Sequence, residues 1–358
     1  MKKYFKIKND IKIAKTLSSD FYTKKNIFEL SKETIFINSW QLITHKSILG
    51  NKTQYPFSFL SDFINEPLVL TKLNDELKCL SNVCTHRAHI ICLDSSNRST
   101  LRCRYHGRTF KLDGNIKSVP GFDGVKNFPV EKDNLENIPT LVWKDFVFVS
   151  LFKKINIQST LDDISYRLKG YKFNELTFDK SQLKSYEINS HWALYCENYL
   201  EEFHIPFVHK GLSKDIDLDN YETILLENGV LQTATCKNEK DTIKLNSNSP
   251  DCNKKMYAYY YWIFPNLMLN FYAWGLSVNI IEPITIKKTR IKYLTFKFPQ
   301  INITPSDGAD INTIEHEDQE VVKSVQKGVN SRYYDNGRYS AKFEKGVHHF
   351  HKLLSKYL

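Results

Sequence analysis

Residues 82–110 read NVCTHRAHIICLDSSNRSTLRCRYHGRTF, and what this stretch does decides the fold. It opens with a Cys-x-His pair, Cys84 and His86, and after an interval of 16 residues carries a Cys-x-x-His pair, Cys103 and His106. The chain holds 7 cysteines and 11 histidines in 358 residues. At that abundance each pattern arises by chance about 0.2 times per chain, and both together in this order and spacing roughly once in a thousand chains. Soft thiolate and borderline imidazole donors together suit zinc or an iron–sulfur cluster. The pairs hold one of these or nothing, and the surrounding sequence has to decide.

The rest of the composition is that of an ordinary globular protein: 41% hydrophobic, 13% aromatic and long enough for two domains. The opening MKKYFKIKNDIKIAKTL has lysines but no apolar run after them, so no secretory signal is expected. No run of about 18 uninterrupted apolar residues predicts a membrane span. A cytoplasmic protein follows, in which seven sparse cysteines are better explained by metal ligation or burial than by a disulfide framework. The net charge of +10 comes from lysines scattered along the chain and reads as a solvated surface, or as attraction to an acidic electron carrier. Without a clustered basic stripe, a nucleic-acid partner is not expected.

Three segments differ in texture. Residues 1–38 contain KKNIFELSKETIF, whose apolar spacing predicts an amphipathic helix, in an N-terminal helical arm expected to pack on the segment 156–358. Residues 39–155 are short alternating apolar runs divided by turns such as Leu112-Asp113-Gly114-Asn115, the pattern of an all-β domain. Residues 156–358 begin in a charged transition, then offer a helical stretch over about 191–204, strands between about 222 and 300, and a charged helix over about 313–329. The fold class is therefore α+β.

Zinc fingers and ribbons use Cys-x-x-Cys, or Cys pairs followed by His pairs. Two mixed Cys/His loops instead match a Rieske 2Fe–2S centre, in which two thiolates hold one iron and two imidazoles the other. Each loop then gives one ligand to each iron, so the loops must face one another at neighbouring hairpin tips. With Arg87 after the first His, Tyr105 and Gly107 around the second, and Leu112-Asp113-Gly114 following, residues 39–155 resemble the Rieske domain of the Rieske non-heme iron oxygenases. His89 and Tyr105 stand where respiratory Rieske proteins carry two further cysteines, which points to the oxygenase branch. Arg108 departs from the Trp that oxygenases often have there. Cys92 reads as core packing and His89 as surface.

The resemblance implies a second iron, held by two His and one carboxylate with positions open for dioxygen. The stretch HWALYCENYLEEFHIPFVHKGL, residues 191–212, offers His204 and His209. On one continuous helix these would lie about 140° apart. Pro206 ends or bends the helix between them, so that His204 can sit on the last turn and His209 can swing back. Glu201, three residues before His204, is too close in sequence for a secure third ligand. Glu-x-x-His-x4-His resembles the oxygenase motif, which implies that Glu201 is an electron-transfer bridge between His204 and His106 of an adjacent subunit. The C-terminal segment from 311 on is similar to the family's, in which Glu-Asp opens a helix ending in Gln-x-Gly-x-x-Ser. Asp318 occupies the ligand position there, with Glu315 and Glu317 as rivals. His348, His349 and His351 read as a terminal helix packing on the domain.

The family architecture implied is a Rieske domain followed by a catalytic antiparallel sheet covered by helices, of helix-grip, START-like form. It also implies electrons from NAD(P)H through a separate reductase, with a ferredoxin in some systems, because the chain has no Gly-rich dinucleotide fingerprint. A head-to-tail homotrimer is the expected assembly. The run YAYYYWIFPNLMLNFYAWG looks closest to the branch with choline monooxygenase and related betaine and carnitine oxygenases, in which an aromatic pocket would hold a quaternary ammonium group. Tyr272 and Trp274 are the pocket candidates. Alternation along the run would put Tyr257, Tyr259 and Tyr261 on one face of an ordinary strand, and Tyr260 and Trp262 on the other. The alternatives are an oxygenase acting on an aromatic ring or a specialised metabolite, and an electron-transfer Rieske protein with no activity of its own.

Overall fold

The computed structural model describes residues 5–209, 216–236, 242–299 and 311–358. The chain divides into two compact units. One holds Trp40–Lys154, and the other is assembled from the flanks, Met1–Ser39 with Ile155–Leu358.

In the N-terminal flank, α1 (Asp20–Thr23) precedes α2 (Lys25–Thr34), which buries Ile27, Phe28 and Ser31 on one face. The 40–154 unit then runs β1 (Gln41–His45), α3 (Lys46–Leu49), β2 (Gln54–Phe59), β3 (Glu66–Leu73), β4 (Glu76–Ser81), β5 (Thr100–Arg102), β6 (Thr109–Lys111), β7 (Ile116–Ser118), β8 (Asn137–Ile138), β9 (Thr140–Trp143) and β10 (Phe146–Val149). These form three antiparallel sheets in the orders β1-β10-β9, β2-β3-β4-β8 and β5-β6-β7. The turn at 112–115 joins β6 to β7, and Gly114 sits in it at φ +93°, where a Cβ would press on Leu80 and on the Leu135 carbonyl. Val69, Leu80, Ile91, Leu101, Phe110 and Leu135 make the core, and Cys84, Cys92 and Cys103 are part of it. Cys92 is thus packing, and all seven cysteines are free.

The C-terminal flank begins with α4 (Gln158–Arg167), inside the segment whose charge suggested only a transition. Its buried stripe is Thr160, Leu161 and Ile164, too narrow to stand out among polar residues. Next come β11 (Thr177–Phe178), β12 (Lys184–Ile188), α5 (Trp192–Tyr199), α6 (Ile205–Val208), β13 (Ile216–Leu226), β14 (Gly229–Cys236), β15 (Met256–Ile263), β16 (Leu267–Tyr272), β17 (Gly275–Thr285), β18 (Lys288–Lys297), α7 (Ile311–Gly328) and α8 (Lys345–Tyr357). The strands form one antiparallel sheet in the order β11-β18-β17-β16-β15-β14-β13, with β12 also on β18. Trp192 of α5, Trp262 of β15 and Phe350 of α8 meet edge to face between sheet and helices.

The helix expected over 191–204 ends at Tyr199. Leu200 closes it by donating to the Cys196 and Glu197 carbonyls, and the Gln232 side chain captures the Tyr199 carbonyl at 2.7 Å. A Cβ at Gly346 would overlap the Leu200 carbonyl, so α8 docks against this helix end only because residue 346 is glycine. The terminal histidines do pack: the His348 ring donates to the Lys8 carbonyl and the His349 ring to the Leu226 carbonyl. His351 lies between the Tyr339 hydroxyl at 2.6 Å and Glu197 at 3.1 Å. Among the described residues, no helix is long and apolar enough to cross a membrane.

Candidate metal centres

The two Cys/His loops have nearly the same backbone. In the first, the Cys84 amide donates to the His89 carbonyl, and the Ala88 amide donates back to the Cys84 carbonyl. In the second, Cys103 donates to Arg108 and Gly107 donates back to Cys103. The reversing residues, Ala88 at φ +54° and Gly107 at φ +77°, occupy the same place in each loop. Only the second loop is a hairpin of the sheet, between β5 and β6; the first follows β4 and closes through the Val83–Ile90 bridge. That corrects the expectation of two hairpin tips, because a closing bridge between loop residues can serve where no strand follows.

This geometry sorts the donors by depth. Cys84 and Cys103 are buried at 3% and 2% exposure, and their thiols interact with one another. Burial pushes the Cys84 thiol up, so in apolar surroundings it stays protonated unless a metal takes its place. The His86 and His106 rings lie 4.8 Å apart further out, His106 on the exposed side. Paired buried thiols beneath paired outward imidazoles are the donor set that a Rieske 2Fe–2S cluster takes, so the residues fit that group.

The second centre forms where α5 has already ended. His204 is the N-cap of α6 and His209 its C-cap, so neither lies in a helix interior. Pro206 therefore does not break a long helix. It stands in the first turn of a new one, where its missing amide costs nothing. His204 keeps helical backbone angles but His209 leaves them at φ −103°, ψ 68°, so the rings are not held to helical spacing and meet at 5.0 Å, edge to face. Asp318 comes from α7, which the Gln326 side chain ties to the start of α5 by accepting from the His191 amide at 2.6 Å. The ligand atoms of His204, His209 and Asp318 all lie within 4.8 Å of one another. Asp318 Oδ1 is 2.9 Å from His209 Nε2 and 3.5 Å from His204 Nε2.

Each imidazole turns its other nitrogen to a carboxylate. Glu201 Oε1 lies 2.6 Å from His204 Nδ1, and its Oε2 accepts the His204 amide at 3.1 Å. Glu317 Oε2 lies 2.7 Å from His209 Nδ1. Nδ1–H donated outward leaves the Nε2 lone pairs pointing inward, the arrangement that orients metal-bound histidines. Burial pulls the His209 pKa down, but Asp318 and Glu317 outweigh it and raise the net value. Two imidazole nitrogens and one carboxylate on one side of the space fit a mononuclear iron with open positions. The sequence offered Glu317 only as a rival ligand, and the structure places it behind His209. The side chain of the other rival, Glu315, lies outside the described residues.

Aromatic side chains line the sheet nearby. Trp274 stacks on Tyr272 at 5.0 Å and 13°. Tyr260 meets Tyr272 at 5.9 Å, and Tyr221 stacks on Tyr260 at 6.5 Å. Tyr259 and Tyr261 point elsewhere, their hydroxyls donating to Asp251 and Asp163. Tyr257 does not join them as strand alternation predicted. A bulge opposite Ala234 and Thr235 shifts the register, and its ring meets Tyr272 at 6.1 Å. Tyr221 connects this group to the segment before His204: burial raises its phenol pKa, and Glu202 and Glu201 raise it further. Glu202, pushed up to about 7 by burial and by Glu201, has one buried carboxylate oxygen with no hydrogen-bond partner among the described residues.

Comparison with known proteins places both units. Residues 177–358 match the ring hydroxylating alpha subunit (catalytic domain) family, and residues 39–129 the Rieske [2Fe-2S] domain. The chain is 27% identical to a chloroplastic choline monooxygenase of Beta vulgaris, over 96% of this chain and 77% of that protein. It is 29% identical to the carnitine monooxygenase oxygenase subunit of Escherichia coli K12, over 95% and 93%. Among solved structures it resembles a quaternary ammonium Rieske monooxygenase in complex with L-carnitine, with a TM-score of 0.76, 24% identity and 97% of each chain covered. A naphthalene 1,2-dioxygenase bound to phenanthrene has the same fold at a TM-score of 0.72 and 15% identity, over 97% of this chain and 94% of that one.

Proposed function

This chain belongs to the ring-hydroxylating alpha-subunit family, and we propose that it is a terminal oxygenase whose substrate is a small quaternary ammonium compound. Membership carries an oxidoreductase of the Rieske oxygenase class, with a 2Fe–2S cluster in one domain, a mononuclear iron in the other and a need for electron-transfer partners. The catalytic-domain match over 177–358 sets aside a Rieske protein that only carries electrons.

In this reading Cys84 and Cys103 hold one cluster iron, and His86 and His106 the other. His204, His209 and Asp318 hold the mononuclear iron, which when bound supplies the dioxygen chemistry. The chain's other residues orient and insulate. Glu201 and Glu317 fix the two imidazole tautomers, and Glu201 also carries the electron between His106 of one subunit and His204 of the next in a head-to-tail trimer. Electrons come from NAD(P)H through a reductase, with a ferredoxin where the system has one, in the cytoplasm.

The observation that carries the substrate class is the aromatic group of Tyr221, Tyr260, Tyr272 and Trp274, with Glu202 close enough to Tyr221 to raise its phenol pKa and with one carboxylate oxygen left without a hydrogen-bond partner among the described residues. Each ring facing a trimethylammonium group contributes about 0.5–2 kcal/mol, and the carboxylate supplies the countercharge that a neutral ring substrate would leave unmatched. Hydroxylating a carbon next to nitrogen releases an aldehyde and the shortened amine. The relatives named for choline and carnitine agree with this class.

The test is oxygen uptake coupled to product formation, using reconstituted holoprotein and a chemical or enzymatic reductant. Choline, glycine betaine and carnitine are compared with benzoate and naphthalene. Turnover of at least one ammonium compound and none of the neutral or anionic aromatics is expected. Turnover confined to the aromatics would overturn the substrate class and leave the family intact. Holoprotein holding about three irons and two sulfides per chain is required first.

A further inference from the structure

The second cluster loop carries a buried cation that nothing else in the fold calls for. Arg108 is 3% exposed, and guanidinium keeps its charge under any physiological condition. Its Nη1 donates to Thr85 Oγ1 at 3.0 Å. The group sits against the rings of Phe122 and Phe128, 4.9 and 5.1 Å from their centroids. Among the described residues it forms no ion pair, and its Nε is buried without a hydrogen-bond partner. Leaving a charge buried beside apolar rings without a carboxylate is costly, so such a cation usually answers a negative charge close by.

Among the described residues no carboxylate pairs with it, and the negative charge that can lie against it is the cluster's. Thr85 lies between the ligands Cys84 and His86, and Phe122 packs edge to face on the His86 ring at 5.1 Å. The charge of Arg108 acts on both Cys84 and His86. With two ferric ions, two sulfides and two cysteine thiolates, the oxidised centre is neutral overall. Taking one electron gives it one negative charge, delocalised over iron and sulfur. A fixed cation stabilises that reduced state more than the oxidised one.

We propose that Arg108 is a positioning residue that raises the reduction potential of the Rieske cluster by placing a permanent positive charge against it. Arg108 neither ligates iron nor touches substrate. The Trp that the family often carries here would fill the same space between Thr85, Phe122 and Phe128 without charge. This chain's cluster therefore accepts an electron more readily than that of an otherwise equal Trp-bearing oxygenase. The inference rests on the cluster site alone, not on the substrate class.

The experiment is a reductive titration of the as-isolated holoprotein, with the midpoint read from the visible circular dichroism of the cluster. Wild type is compared with Arg108→Trp, Arg108→Gln and Arg108→Lys. Both neutral variants are expected to shift to lower potential with an unchanged oxidised spectrum, and Arg108→Lys to stay close to wild type. Neutral variants at the wild-type midpoint would overturn the proposal. So would a Lys variant that falls as far as Trp, because packing and not charge would then set the potential. Should neither neutral variant load a cluster, Arg108 serves the folding of the loop and the proposal fails equally. Wild-type protein without cluster iron and sulfide would instead remove the Rieske assignment itself.

Discussion

Glu201 and Glu317 do the same thing to two different histidines, and separating them tests the whole site. His209 has 1% of its side chain exposed, so truncating Glu317 takes away the acceptor that its Nδ1–H has in the fold. Removing such an outer acceptor lowers metal affinity about 10–100-fold, or ~1.4–2.7 kcal/mol. Glu317 is itself 39% exposed, and water entering its place would relieve part of that loss. Glu317→Ala is therefore expected near the lower end, about tenfold. Glu201→Gln is a different perturbation. The amide oxygen can still accept from His204 Nδ1 and keep the ring tautomer, and only the bond from the His204 amide, made to the other oxygen, is lost, so iron should be held within about threefold of wild type. What is lost is the carboxylate that the bridge requires. The assay is anaerobic titration of iron-depleted catalytic sites with ferrous ion, followed by single turnover from a pre-reduced cluster. Glu317→Ala should bind iron weakly but, once saturated, pass electrons. Glu201→Gln should bind normally and keep its cluster reduced when dioxygen and substrate are added. Wild-type affinity in Glu317→Ala would refute the orienting role. Complete loss of iron, equal to that in Asp318→Ala, would make Glu317 a ligand after all.

Asp318→Ala and His204→Ala should each remove the mononuclear iron and all product formation while leaving the Rieske visible spectrum unchanged; loss of that spectrum would contradict the separation into two units. Tyr260→Ala or Trp274→Ala should weaken binding of an ammonium substrate by about 2–30-fold, the range of one cation–π contact, read by equilibrium binding, and equal loss for a neutral isostere would show simple packing. Stability should fall in acid because of His191, whose pKa burial lowers from 6.5 to about 3. The unfolded chain takes up a proton that the native state refuses, so this contribution is intact above pH 6.5 and fades as pH falls toward 3. The slope is about 1.4 kcal/mol per pH unit, roughly 5 kcal/mol in total. His191→Asn keeps an acceptor for the Ala193 amide and should flatten that slope in urea midpoints between pH 4 and 6.5; an unchanged slope would place the titration elsewhere.

The cluster loops were legible because ligand chemistry acts locally. Cys84, His86, Cys103 and His106 must each be the right atom type within a few residues, and their spacing survives any packing around them. That His204, His209 and Asp318 come together was legible for the same reason, although the local structure was misjudged. Helical spacing was extended through 191–204 because the sequence stays apolar past Tyr199. What ends the helix is the Gln232 side chain, 33 residues away, together with the close approach of Gly346. Neither leaves a mark near residue 199. Glu317 was hidden in another way. Beside Asp318 on a charged helix it looks like a competitor for the same metal, and only the rotation of α7 against α6 distinguishes the acid that faces the iron space from the one behind the imidazole.

The aromatic run shows where a periodic reading fails and why function sits there. Strict alternation separates Tyr257 from Tyr260 and Tyr272. One extra residue in β15 opposite Ala234 and Thr235 brings the three rings together. A bulge has little sequence signature in a stretch where almost every residue is apolar or aromatic, yet it turns a strand surface into a concave one. Tyr259 and Tyr261 stay on the structural side, their hydroxyls held by Asp251 and Asp163, which Arg167 in turn pairs. The same strand thus uses tyrosine in two ways. On one face the phenol is satisfied by a half-buried ion-pair network that links α4 to the sheet. On the other the rings gather at Tyr272, and Tyr221 beside them senses Glu202, one of whose carboxylate oxygens is buried without a hydrogen-bond partner among the described residues. A cationic substrate beside Tyr221 would give that oxygen a partner and favour the ionised carboxylate. Glu202→Gln should therefore cost affinity for ammonium substrates and spare neutral ones, and equal affinity for choline in the two proteins would remove the countercharge from the argument.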